Sequence, residues 1–181
     1  YGNPSSIPID EEQVNAPLSP YAASKLSGEA YCNAFGLMFG IKYVALRFFN
    51  VYGRERDELH TDVISKFLSK AKIGKPPIIY GDGHQTRDFI HVDDVVEIIL
   101  RSMRLDVKGI FNVGTGIPTS INKLSTMILK LTGYQELKPL HVKENDGDIA
   151  HSVANMMRAK RELNFNPSVT VEDGLKRMLS E

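Results

Sequence analysis

Tyr21 and Lys25 stand four residues apart in the run Ser19-Pro20-Tyr21-Ala22-Ala23-Ser24-Lys25, and together they could move a proton. Ser19 suits a helix N-cap and Pro20 the first helical position. On a helix begun there, residues i and i+4 share a face, which brings the phenol beside the ammonium. A neighbouring cation favours phenolate and lowers a tyrosine pKa from its ordinary value of about 10. Such a tyrosine can take the proton of an alcohol or sugar hydroxyl while hydride leaves the carbon. On spacing alone, a solvated helix face is the simpler reading.

Other residues could bind rather than react. Asn50 follows an apolar run, at the carboxyl end of a strand, where open α/β sheets bind ligands; the alternative is a plain turn residue. Arg87 lies in Gln85-Thr86-Arg87-Asp88-Phe89. Its planar guanidinium suits a two-point grip on a diphosphate, or else a salt bridge with Asp88. Gly81-Asp82-Gly83 and Gly114-Thr115-Gly116 are not G-x-G-x-x-G, and Gly81 and Gly83 read as turn residues. The five histidines, His60, His84, His91, His141 and His151, show no metal-ligand spacing, and His91, just before an apolar helix, reads as structural.

These side chains must be positioned by alternating helices and strands. A helix over 19–39 carries Tyr21, Lys25, Gly28, Cys32 and Phe35 on one stripe and stops at Gly40. Cys32 is expected to be a buried structural thiol. The apolar run 41–49 reads as a buried parallel strand. Val63, Ile64, Phe67, Leu68 and Ala71 mark a second helix, ended by Gly74 and Pro76-Pro77, and 78–80 a short strand. Val92, Val95, Val96, Ile99, Leu100 and Met103 make a clear 3.6-residue stripe, with Asp93 and Asp94 complementing the dipole in its first turn. A strand follows over 110–113. Ser120 caps a helix with Ile121, Leu124, Ile128 and Leu131. Thr170 and Asp173 form a capping box for a last helix. The pair Met156-Met157 and Met178 are expected in the core.

The chain has 181 residues, 42% of them hydrophobic, enough for a core. No stretch approaches a membrane span. With 22 basic and 22 acidic residues, no electrostatic case exists for nucleic acid or an anionic membrane. The single cysteine, Cys32, rules out an internal disulfide and suits a reducing compartment.

Beyond single residues, motifs recur in order along nearly the whole chain. Tyr1-Gly2-Asn3-Pro4, 19–29 (SPYAASKLSGE), 47–53 (RFFNVYG), 79–94 (IYGDGHQTRDFIHVDD), 112–116 (NVGTG) and Gly147-Asp148 followed by Ser152 and Ala154 together resemble the extended short-chain dehydrogenase/reductase family. Within it the sequence is most similar to nucleotide-sugar epimerases of the UDP-glucose 4-epimerase kind. The resemblance implies an α/β fold: the C-terminal part of a Rossmann-like parallel sheet domain plus a smaller α/β substrate-binding lobe. It assigns 1–56 and 91–115 to the NAD-binding domain, and 57–90 and 116–181 to the substrate lobe. It implies Tyr21 as acid/base and Lys25 on the nicotinamide ribose. Phe48 and Phe49 would flank the nicotinamide, or serve as plain core. Asn50 and Arg87 would contact the substrate phosphates. Tyr80 would line the uridine pocket or simply pack, and Asp148 would face the nucleotide or hold a turn.

The family's glycine-rich pyrophosphate turn and its catalytic Ser or Thr are not in the 181 residues. At about 30 residues per βαβ unit, roughly 100 residues are expected upstream, and this chain alone is expected to be inactive. Two positions depart from the family: Asn155 stands where an aspartate is usual, and Asn145 where an arginine is usual, for which Lys143 could substitute as a point charge. The resemblance further implies NAD as cofactor, a nucleotide sugar as substrate, a homodimer and a cytoplasmic setting. The activity it points to is epimerisation at C4 of a UDP-glucose/UDP-galactose type substrate. A 4,6-dehydratase, or a non-catalytic sugar-nucleotide-binding fragment, is the alternative. Phe49-Asn50-Val51-Tyr52-Gly53, where dehydratases tend to carry Asn-Asn-Tyr-Gly, favours the epimerase.

Overall fold

Helix signals in the sequence become helices with their caps in place. A computed structural model describes residues 1–53, 62–144, 147 and 149–180; Asp148, Asn145 and the expected domain boundary at 56/57 lie outside them. Helix α1 is Pro20–Phe39, and the Ser19 hydroxyl accepts from the Ala22 N–H. Strands β1 (Val44–Phe48) and β2 (Asn50–Tyr52) follow, then α2 (Val63–Lys72) and β3 (Ile78–Tyr80). Next come β4 (Thr86–His91), α3 (Val92–Ser102), β5 (Gly109–Val113), β6 (Pro118–Ser120) and α4 (Ile121–Leu131). The chain closes with β7 (Leu140–Val142), α5 (Met157–Leu163) and α6 (Val171–Ser180). Asp62, His91 and Ser120 cap α2, α3 and α4 through their side chains. The Thr170 hydroxyl donates to Asp173 at 2.7 Å and accepts that residue's N–H at 3.1 Å, completing the capping box before α6.

The run 41–49, read as one strand, is two strands with different neighbours. β1 runs parallel to β5, from Val44 opposite Gly109 to Phe48 opposite Val113. Phe49 donates its N–H to Val113 O at 2.9 Å. The backbone then crosses over, and β2 runs parallel to β4, Asn50 opposite Phe89. β4 also pairs antiparallel with β6, and β3 pairs parallel with β7. Three of the four pairings are parallel, in keeping with the α/β class expected.

β4 divides two apolar cores. Side chains alternate across a strand, and Phe89 enters a core with Tyr52, Ile64, Phe67, Leu68, Ile79, Leu124, Ile128 and Leu175. Its neighbour Ile90 enters a second, with Val95, Ile98, Phe111, Val113, Met156, Leu163 and Phe165. The first joins α2, α4 and α6; the second joins α3, β5 and α5.

The structure corrects three burial expectations. Cys32 is exposed, because the Tyr21 stripe of α1 fronts an open cavity, and α1 has no buried residue. Met156 is buried, but Met157, the first residue of α5, is 70% exposed. On α3 the core-facing residues are Asp94, Val95 and Ile98, while Val96, Ile99, Leu100 and Met103 are exposed. The helix is thus rotated away from its most apolar stripe. Asp94 explains the rotation. Its carboxylate accepts the Ser168 N–H and hydroxyl, both at 2.9 Å, and the Val169 N–H at 3.1 Å. It ties the segment before α6 to α3 as a satisfied buried carboxylate, and with Asp93 it also stands in the first turn of α3, as expected.

Tyr52 fastens β2 to α6. Its hydroxyl donates to Thr170 O at 3.1 Å, and its ring meets Phe89 and His91 edge-on. Burial, reinforced by the Asp94 charge, pushes its pKa well above the ordinary tyrosine value, so it stays a neutral donor. Gly174 permits this approach, since a Cβ there would lie 2.2 Å from the Tyr52 hydroxyl oxygen. Gly174→Ala should therefore lower stability by about 1–3 kcal/mol through overpacking, read from the urea midpoint. Adding Tyr52→Phe should recover part of that loss by removing the clashing oxygen; a wild-type midpoint in Gly174→Ala would show that α6 shifts freely.

Candidate active site

Two cavities meet at Asn50. The crossover from β1 to β2 places this residue at a point where the chain changes sheet partners, and Asn50 lines both spaces. Such switch points, at strand carboxyl ends, are where open α/β sheets bind ligands.

The larger space, about 700 Å³, lies between α1 and β1. Tyr21 and Lys25 line its α1 wall; Arg47, Phe48 and Phe49 line its β1 wall. Five of the expected residues are therefore together here, counting Asn50. Tyr21 is 72% exposed. The Lys25 ammonium sits over the Tyr21 ring, 5.1 Å from its centroid, so the two do share a face. The Phe48 side chain is 41% exposed, which argues against a plain core role.

The smaller space, about 430 Å³, lies between α2, β2 and the β3–β4 region. Tyr80 and Arg87 line it, as expected, with Gln85, Asp62, Lys66 and Lys70. The Arg87 guanidinium donates to Thr86 O at 2.9 Å. Gln85 donates to Tyr80 O at 2.7 Å and closes the β3–β4 turn. Gly81 and Gly83 within that turn have φ of 79° and 76°, the left-handed region that favours glycine, so their turn reading stands. Asp88 is fully buried and satisfied by other donors: the Thr115 N–H at 2.7 Å and hydroxyl at 2.6 Å, the Gly116 N–H at 2.9 Å and the Ala154 N–H at 3.1 Å.

Two sets of residues escaped the sequence reading. Lys66 and Lys70 bring positive charge to the smaller cavity; Lys143, the expected substitute for an arginine at Asn145, is not among its lining residues, and Asn145 lies outside the described residues. The i,i+4 spacing of Lys66 and Lys70 on the polar side of α2 was the available signal. Arg47 and Glu29 are the other set. Arg47 Nη2 donates to Glu29 Oε2 at 2.7 Å and Nε to Oε1 at 2.8 Å, with the side chains only 13% and 18% exposed. Burial disfavours the Arg47 charge, but its hydrogen bonds to Glu29 and Tyr1 more than offset this and raise its pKa. The Tyr1 ring stacks on the guanidinium at 4.6 Å, and its hydroxyl donates to Asn112 Oδ1 at 2.5 Å. A lone arginine inside an otherwise apolar run was the sign that a buried partner must exist.

Among the described residues, no three His, Cys, Asp or Glu side chains gather as a metal site would need. No described helix is long and apolar enough to cross a membrane.

Comparison with known proteins shows the family. Residues 1–114 match the model of the NAD dependent epimerase/dehydratase family. The UDP-glucose 4-epimerase of Mycolicibacterium smegmatis is 34% identical over 97% of this chain and 56% of its own length. The crystal structure of UDP-glucose 4-epimerase from Thermotoga maritima with UDP-glucose superposes with a TM-score of 0.94 at 34% identity, covering 99% of this chain and 58% of that one. UDP-glucuronic acid 4-epimerase from Bacillus cereus, in complex with UDP-glucuronic acid and NAD, gives 0.88 at 29% identity, over 99% and 57%. The chain thus spans a little over half the length of each of these three proteins. With residues 1–114, most of its length, under the family model, this chain belongs to the NAD dependent epimerase/dehydratase family.

Proposed function

We propose that the complete protein epimerises a nucleotide sugar of the UDP-glucose/UDP-galactose type at C4. The observation that carries this is the shared wall at Asn50. One ligand can lay its diphosphate among Arg87, Lys66 and Lys70 in the smaller cavity and extend its sugar past Asn50 toward Tyr21 in the larger one.

The residues of the larger cavity fit the nicotinamide end of NAD. Lys25 offers an ammonium to ribose hydroxyls, and Phe48 and Phe49 offer apolar surface for the ring. A bound NAD supplies reversible hydride transfer. Tyr21 takes the proton of the sugar hydroxyl and later returns it. Asn50 and Arg87 hold the diphosphate in place while the sugar turns over, and Tyr80 lies beside the base. Asp148 is assigned to the nucleotide as well.

The same reading divides the chain into an NAD-binding part, 1–56 with 91–115, and a substrate lobe, 57–90 with 116–181. The first core, which joins α2, α4 and α6, supports the lobe, although α5 packs into the second core. Exposed apolar side chains on α1, among them Tyr31, Phe35 and Met38, offer surface for a homodimer. The lone, exposed Cys32 suits the cytoplasm.

The test is direct. The complete protein, incubated with NAD and UDP-glucose, should form UDP-galactose by proton NMR and reach the same mixture from either side. A 4-keto-6-deoxy product would establish the dehydratase instead. UDP binding without turnover of UDP-glucose, UDP-glucuronic acid or their N-acetylated counterparts would overturn the catalytic reading.

A further inference from the structure

We propose that Arg47, acting through Glu29, is a positioning residue that sets where Tyr21 and Lys25 stand over the strand end carrying Phe48, Phe49 and Asn50. The proposal rests on the catalytic reading given above for Tyr21.

Within this chain α1 has no fully buried residue and no apolar side chain sunk in either core, so apolar packing does little to fix its rotation or its sliding. Among the described residues, polar or close contacts hold it to the β1 side at two places. Near its C-terminal end, the Tyr43 hydroxyl meets Asn33 at 3.3 Å, and a Cβ at Gly36 would come within 3.2 Å of the Tyr43 ring. At mid-helix, Glu29 takes both hydrogen bonds of the Arg47 fork. Tyr21 lies beyond that second anchor, eight residues away in the chain, roughly 12 Å along the axis at 1.5 Å per residue. A small tilt at Glu29 therefore becomes a displacement at the phenol.

Arg47 is itself held. Tyr1 covers one face of its guanidinium, and its Nη1 donates to Glu11 O at 3.3 Å. Glu11 also accepts the Asn112 N–H at 2.7 Å, and the Asn112 amide donates to Ile9 O at 2.9 Å. One side chain on β1 thereby fixes the helix with the acid/base, the segment that begins at Tyr1, and the strand leading to Asn50. A planar two-point fork restricts distance and orientation together, which a lysine ammonium does not. Both side chains are largely buried, so water does little to loosen the pair.

The test uses the complete protein and three variants: Arg47→Lys, Glu29→Gln and the double. Misplacement of about 1 Å can cost up to a hundredfold in rate. Arg47→Lys should lower kcat by about tenfold, with the KM for UDP-glucose changed by less than about threefold. Amide hydrogen exchange over 20–30 should quicken by about tenfold while β5 amides keep their protection. The double variant should cost no more than the worse single one, since the pair acts as a unit. Wild-type kcat in Arg47→Lys would overturn the proposal, as would a loss of kcat with unchanged exchange in α1. If Arg47→Lys fails to fold, Glu29→Gln carries the same readouts with the arginine retained. If the unsubstituted protein epimerises nothing, the catalytic reading falls by itself, and unchanged exchange in both single variants would then separately overturn the pinning of α1 by Arg47.

Discussion

Replacing Tyr21 by phenylalanine should lower the turnover of UDP-glucose by about a hundredfold or more, the usual loss when a general acid/base is removed. The substitution deletes one oxygen from a ring that is 72% exposed on a helix without buried residues, so it should leave the fold intact. The cap at Ser19 and the Lys25 ammonium over the ring remain. Binding of UDP should be unchanged within about twofold, because Arg87, Lys66 and Lys70 line the other cavity and Asn50, which lines both, keeps its side chain in this variant. Steady-state kinetics with calorimetric titration of UDP separates the two quantities. A kcat near wild type would remove Tyr21 from the mechanism and point the chemistry elsewhere along the larger cavity.

Arg87→Ala should show the converse pattern. A charge-assisted hydrogen bond to phosphate contributes roughly 1.5–3 kcal/mol, so the Kd for UDP should rise by about ten- to a hundredfold. Affinity for NAD should hardly change, since Arg87 faces the smaller cavity and Lys25 the larger. Lys66 and Lys70 stay in place and keep some attraction for the diphosphate, but as point charges without the fork geometry. Lys66→Ala should therefore weaken UDP less than Arg87→Ala does. Unaltered UDP affinity in Arg87→Ala would make Arg87 a structural residue and move the phosphate site.

The sequence was most legible where an interaction is local. Caps at Ser19, Ser120 and Thr170 depend on a few neighbouring residues, and each forms as expected. The face shared by Tyr21 and Lys25 follows from helical geometry in the same way. What remained hidden depends on partners distant in the chain. β6 and β7 are three residues long, too short for a period to emerge. β4 shows no alternation of polar and apolar residues because both its faces are buried, one in each core. The apolar stripe of α3 gave the helix but not its rotation, which Asp94 settles through Ser168 and Val169, some seventy residues on. Cys32 fell on a stripe with helical spacing, yet spacing does not reveal whether a stripe faces a core or an open cavity. Arg47 looked like one polar residue in a strand, and only the fold shows that Glu29 comes to meet it.

The division of two cores by β4 also limits how this segment can change length. A strand that slips by one residue exchanges its faces. An inserted or deleted residue between Asp88 and His91 would send Phe89 toward the space shaped for Ile90, and Ile90 toward that of Phe89. It would also withdraw Asp88 from the four donors that surround it. Such a change cannot be absorbed on one side, because relieving one core displaces the other. The turn at 82–84 is held to α4 by Asn122, whose side-chain amide donates to Asp82 O and whose backbone N–H donates to Gly83 O, but it enters neither core. Drift in length should therefore collect before β4 and not after it, since α3 follows at Val92 directly, leaving the distance from Arg87 to that helix fixed. Arg87 thus inherits its position from a stretch of chain that cannot gain or lose a residue.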